Sequence, residues 1–280
     1  MTEHLKFPPL PQWFTAGKED RVPSRMRRFG GSGRDLEVAF RLARRPEIIT
    51  ELLALCCEAA DGHTVDPDVW LQLPIGMRIE ALLSLASLSD GTPFVWRLRC
   101  GSELCTGAEE ENEFELTLDQ IVSLAAEKRD FETETISIGQ AEATFRRPTA
   151  FDQMQWLEQG TATETEAMLR SLMVGPPLEE LLETAHDAES VAAALDKAMD
   201  SFDPVLGFHV NVVCPQCGTH TDVWPDLAGA ALERLSSAQR KAIEDVHHLA
   251  THYHWSESQI LDLPAWRRQS YLDLIEAGPR

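Results

Sequence analysis

The sequence predicts an α+β protein in which two Cys-tipped β-hairpins form a zinc-ribbon-like layer, surrounded by helices and followed by a helical C-terminal module. Three observations carry that prediction. Apolar residues recur at helical spacing over most of the chain. The spacing switches to alternation near residues 92–118 and 208–224, and each alternating stretch carries two cysteines at its turn.

In chain order, "FPPLPQWFTAGKEDRVPSRMRRFGGSGRD" mixes prolines, glycines and arginines with no sustained period, so residues 1–34 are expected to form an extended basic N-terminal arm. An α+β body over 35–235 follows. Residues 35–60 have apolar positions at helical spacing on both sides of Pro46, giving two helical segments or one kinked helix. Cys56 and Cys57 within it read as buried small residues. The next helix, "LPIGMRIEALLSLASLSDG", sets Ile79, Leu82, Leu83 and Ala86 on one face and stops at Asp90-Gly91.

"TPFVWRLRC" then alternates, and "ENEFELTLD" returns through Phe114, Leu116 and Leu118, a hairpin with Cys100 and Cys105 at its tip. Residues 131–147, rich in Thr and Ile around Gly139-Gln140, predict another hairpin, and Pro148 suits the start of a helix. A helical insert near 150–203 is rich in Ala, Glu and Leu and turns at Gly175-Pro176-Pro177. Phe208, Val210 and Val212 alternate into Cys214 and Cys217, and Val223-Trp224 lie on the returning strand. Both Cys units run strand, two cysteines, strand, Asp, helix, which is a weak internal repeat. Residues 236–280 form a helical module: Ile243, Val246, Ala250 and Tyr253 share a face, Ser256 and Gln259 make a capping-box pattern, and Gly278 closes the last helix.

The composition, 43% hydrophobic and 25% charged over 280 residues, is that of a folded globular protein. A net charge of -21 repels nucleic-acid phosphates and excludes a general DNA or RNA binder. Residues 1–45 hold ten basic and five acidic residues, so the remainder is more acidic still. Twelve acidic residues between Glu103 and Glu142 read as a solvated face, or one that meets a basic partner. There is no apolar run of 18 residues, and the start lacks an apolar signal core before its prolines. The expected location is therefore cytoplasmic, without membrane insertion.

Four thiolates, two on each of two neighbouring turns, can close a tetrahedral zinc site at about 2.3 Å from each sulfur. Cys100, Cys105, Cys214 and Cys217 are the candidates, with Gly218 able to take the positive φ of a knuckle. The first pair is spaced CxxxxC and 108 residues separate the pairs, so four reduced cysteines without metal are the alternative. His247, His248, His252 and His254 offer a second candidate site. A zinc-dependent hydrolase would use them with Glu244 or Asp245, whereas the helical pattern puts them on the polar side of an amphipathic helix. There is no G-x-S-x-G elbow, phosphate-binding glycine loop or Cys–His nucleophile pair, and a non-enzymatic role is expected.

The order of "LPIGMRIEALLSL", the first Cys hairpin, "FRRPTAFDQMQWL" and "VNVVCPQCG", over roughly residues 65–235, resembles the baseplate hub assembly chaperone family of contractile-tailed phages and phage-tail-like contractile injection systems. The tail "VHHLATHYHWSESQILDLPAWRRQSYLDLI" is similar to a short helical module of such tail gene clusters. The first Cys pair departs from the CxxC such proteins often show. The resemblance implies an assembly chaperone or structural component that contacts baseplate, hub or spike proteins and no nucleic acid. A zinc-ribbon adaptor is the remaining alternative.

Overall fold

The computed structural model describes every residue except 1–3, 19–20, 103–104, 106–110, 127–128, 161–164, 186 and 279–280. The fold is α+β, with small antiparallel sheets among helices and a helical C-terminus.

The chain opens with β1 (His4–Lys6), α1 (Gln12–Thr15), β2 (Pro23–Arg27), α2 (Gly33–Leu36), α3 (Arg45–Cys56) and β3 (Cys57–Ala59). It continues with α4 (Pro67–Gln72), α5 (Ile75–Asp90), β4 (Phe94–Arg99), β5 (Glu111–Leu116) and α6 (Leu118–Ala125). A second series then follows: β6 (Thr133–Ile138), β7 (Ala141–Arg146), α7 (Ala150–Gln159), α8 (Thr165–Leu172), β8 (Met173–Gly175), α9 (Leu178–Ala185), α10 (Ala188–Phe202), β9 (Val210–Val213), β10 (His220–Val223) and α11 (Leu227–Tyr253). Apart from α1, the second series repeats the first element for element. Both three-stranded sheets are antiparallel and ordered alike, β1-β2-β3 and β6-β7-β8.

Side chains repeat as well. Arg27 at the end of β2 grips Asp35 through bonds of 2.8 and 2.7 Å and donates to the Leu55 carbonyl near the end of α3 at 2.9 Å. Arg146 at the end of β7 grips Asp152 at 2.7 and 2.8 Å and donates to the Ser171 carbonyl near the end of α8 at 2.6 Å. Asp35 and Asp152 each complete a capping box, with Ser32 and Thr149. A bidentate guanidinium–carboxylate pair has one good geometry, so each clasp fixes strand, cap and following helix together. Burial pushes both carboxyls upward, but the arginine and cap bonds together hold each below the ordinary carboxylate value. The second arginine of each pair reaches the end of a later helix. Arg28 donates to the Ser89 carbonyl of α5 at 2.6 Å, and Arg147 stacks on Phe202 of α10 at 4.1 Å.

The sequence-based expectation of an extended arm over 1–34 is corrected here. β1 and β2 form a sheet with β3, and Phe7, Phe14, Val22, Met26 and Phe29 are buried in the main core. Prolines and glycines break any period in this stretch, but burial needs only correctly placed apolar residues. Two further departures concern helical runs that end in short strands, at 57–59 and 173–175. The stretch expected as a helical insert near 150–203 is helical apart from β8, and its Leu169, Leu181, Val191 and Phe202 close over Ala143 and Phe145 of β7 in a second core.

The main core joins the two units: Trp70, Leu82 and Phe94 of the first pack with Phe208, Leu227, Ala231 and Leu235 of the second. Arg234 of α11 lies over the Phe94 ring at 4.0 Å and donates to the Thr92 and Pro93 carbonyls at 2.8 and 2.7 Å. The helix that follows the second hairpin is thereby pinned to the base of the first. α11 runs unbroken across residue 236, and the C-terminal module begins within it. Its Leu249 packs with Ile260 of α12 (Glu257–Leu261) and Leu272 of α13 (Ala265–Ala277). Ser256 and Gln259 form the expected capping box. Among the described residues no helix is long and apolar enough to cross a membrane.

Candidate metal centre

Each cysteine pair sits at a turn set by strand pairing. In the first hairpin Phe94 faces Leu116 and Arg99 faces Glu111, so Cys100 leaves β4 at a fixed register. Trp96 stacks on Phe114 at 5.5 Å, and Arg97 pairs with Glu113 at 2.6 Å. The Cys105 amide donates to the Ser102 carbonyl at 3.0 Å and turns the chain back. In the second hairpin Val213 faces His220 and Cys214 follows directly. The Cys214 amide donates to the Thr219 carbonyl, and the Gly218 amide to the Cys214 carbonyl, both at 2.9 Å. Gly218 has φ 71, a left-handed conformation that strains a residue with Cβ.

The pinned hairpin bases bring the tips together. Cys100 Sγ is 3.7 Å from Cys217 Sγ, Cys105 Sγ is 3.8 Å from Cys214 Sγ, and all four ligand atoms lie within 4.8 Å of one another. A tetrahedron with metal–sulfur distances of about 2.3 Å has edges of about 3.8 Å. A disulfide needs about 2.05 Å, and none of the four cysteines is in a disulfide. The cluster is thus compatible with a metal ion, and each of the two short contacts joins the first unit to the second. Four protein ligands complete a tetrahedral shell and leave no position for a substrate.

Cys100, Cys105 and Cys214 are buried, and Cys217 is exposed. The Cys217 thiol is pulled down to about 6, first by the Thr219 hydroxyl, whose oxygen lies 3.2 Å from the sulfur, and then by the Thr219 backbone. A metal ligand must be the thiolate, so this partner favours binding. Thr219 was not among the residues singled out from the sequence, although a hydroxyl two residues beyond the knuckle's second cysteine was visible there. The other two cysteines contrast sharply. Burial pushes Cys56 up to about 12 and Cys57 well above its ordinary value, leaving neutral thiols in the main core, as their apolar setting predicts.

His247, His248, His252 and His254 are exposed on α11 and at its end. Among the described residues, the one group placed for a single ion is the four cysteines. Of the apolar face expected on this helix, Val246, Ala250 and Tyr253 pack inward, Ile243 is exposed, and Leu249 takes the buried place. In the acidic block, Glu111 and Glu113 are exposed and pair with Arg99 and Arg97. Glu103, Glu109, Glu110 and Glu127 lie outside the described residues.

The chain matches no family model, no curated protein and no solved structure.

Proposed function

We propose that Cys100, Cys105, Cys214 and Cys217 hold one structural zinc ion, and that the chain works by protein–protein contact as an assembly chaperone or structural component of the baseplate or hub of a contractile particle, in the cytoplasm. The observation that carries this reading is the closed four-sulfur cluster between two structural units, with edges of 3.7 and 3.8 Å that suit zinc. Zinc in such a shell staples hairpins rather than activating water. The order of motifs over residues 65–235 supports the contractile family, and the acidic surface suits partners with basic faces.

The test is co-expression of the tagged full chain with the baseplate, hub and spike proteins of its own gene cluster. Co-purification of one of them in a fixed ratio is expected. Recovery of none of them overturns the assembly role, while the metal reading is tested separately by elemental analysis.

A further inference from the structure

The repeated fold shows which core positions the architecture itself requires. In the second unit the inward stripe of α10 is Val191, Leu195, Met199 and Phe202, all buried. Aligned on their first residues, Ile75 and Ala188, α5 carries Arg78, Leu82, Ala86 and Ser89 at those places. Arg78 therefore stands where the same fold puts a valine, and it is equally buried, at 2% exposure.

Its guanidinium donates to the Pro46 carbonyl at 2.8 Å, the Thr50 hydroxyl at 2.7 Å and the Trp70 carbonyl at 3.0 Å. All three acceptors are neutral. Burial alone lowers the Arg78 pKa, to about 10, with no carboxylate offsetting it, so the group is charged at neutral pH. A buried cation without a counter-charge is costly, and this chain has 46 acidic residues from which a partner could have been drawn.

Arg78 also lines a pocket of about 250 Å³ between the two units. Ile49, Ile79, Val205 and Phe208 give it apolar walls, and the exposed Leu206 and Trp224 stand at its mouth. Arg45, also on the pocket, is paired with Asp226 at 2.8 Å. With Arg45 and Asp226 offsetting each other, Arg78 is the lining charge without a counter-charge, and a largely apolar cavity with few charged groups is the usual form of a specific small-group site.

We propose that this pocket takes the C-terminal residue of a partner polypeptide, an apolar side chain with its free carboxylate, and that Arg78 supplies the counter-charge. The carboxylate neutralises the buried guanidinium, and the apolar side chain fills the cavity. Trp224 and Leu206 at the mouth offer apolar surface to the preceding residues of the bound chain. The choice of a polypeptide as the source rests on the protein-contact reading above.

The test is a titration of the full chain with fluorescein-labelled Gly-Ser-Ala-Leu peptide as its free acid and as its C-terminal amide, with 4-methylpentanoate as competitor. The acid is expected to bind and the amide to bind at least about tenfold more weakly. Arg78→Met is expected to remove that preference. Because Arg78 also ties α3 to α4, a second variant, Leu206→Trp, obstructs the mouth without touching those bonds and is expected to weaken the acid about tenfold, with an unchanged circular dichroism spectrum. Equal binding of acid and amide, no binding of the acid, or full binding to Leu206→Trp overturns the proposal. If 4-methylpentanoate binds as tightly as the peptide, the polypeptide source is overturned. No baseplate component enters this titration, so its failure and the failure of co-purification are separate results.

Discussion

Cys105 Sγ lies 3.8 Å from Cys214 Sγ across 109 positions of sequence, one contributed by each structural unit. A metal held there closes a long loop of the unfolded chain, and the metal's binding energy becomes folding energy. We expect one zinc per chain by elemental mass spectrometry, and none in Cys214→Ser. The variant should lose at least about 3 kcal/mol in urea unfolding, less than the ~10–16 kcal/mol of zinc-dependent peptides because the apolar cores persist. Wild-type protein that is free of metal, or a variant of equal stability, would reject the staple.

The parts of this site that could be read from the sequence are the parts set by local chemistry. Alternation through Phe94, Trp96 and Leu98, and again through Val210 and Val212, gives the strands, and the Cys214–Gly218 knuckle follows from spacing and a glycine. The meeting of the two tips does not follow, because it depends on α11 lying along α5 and on Arg234 reaching Phe94. The period of apolar residues shows the repeat at the hairpins and not along the helices, which share positions rather than residues. Two short stretches did hold the wider signal: "RRFGGSGRD" and "RRPTAFD" both place a Ser or Thr three residues before the aspartate that their first arginine grips. β3 and β8 were missed because three residues are too few to show a period, and their pairing with β2 and β7 decides them.

The clasp between Arg27 and Asp35 should give a pH signature. Asp35 has a lowered carboxyl pKa in the fold, so its contribution is fully present above the unfolded value of about 4 and disappears as pH falls below it. Asp35→Asn should cost about 3 kcal/mol at pH 7 in urea unfolding, and the gap to wild type should narrow below about pH 4. Asp152→Asn should behave alike with a smaller loss, because Arg146 is 34% exposed against 19% for Arg27 and is better screened. A gap that stays constant between pH 7 and 3 would contradict the assignment.

Gly76 offers a test of sign. In the first turn of a helix, Gly→Ala ordinarily stabilises by up to ~1 kcal/mol. Here the added Cβ would fall on the carboxylate of Asp203, which is buried, pairs with Arg147 at 3.2 Å and accepts the Gly76 amide. Gly76→Ala should therefore destabilise by about 2 kcal/mol. Combined with Asp203→Ser, the alanine should cost much less, a coupling that a double-mutant cycle measures directly. Additive losses would mean that the two residues do not meet.

His254 is the one described non-glycine residue with positive φ, at 56°, and it closes α11 where glycine is the usual choice. The turn it makes brings Trp255 back onto Tyr253, whose rings stack at 4.7 Å over the Leu249 cluster. The imidazole itself is exposed, so the backbone conformation is what the position requires. His254→Gly should raise stability by about 0.5–1 kcal/mol, whereas His254→Ala, which keeps the Cβ strain, should not. Alanine at the exposed His248 should change it by less than about 0.5 kcal/mol. A loss in both His254 variants would show that the imidazole makes a contact of its own, and would reopen the histidine cluster as a site.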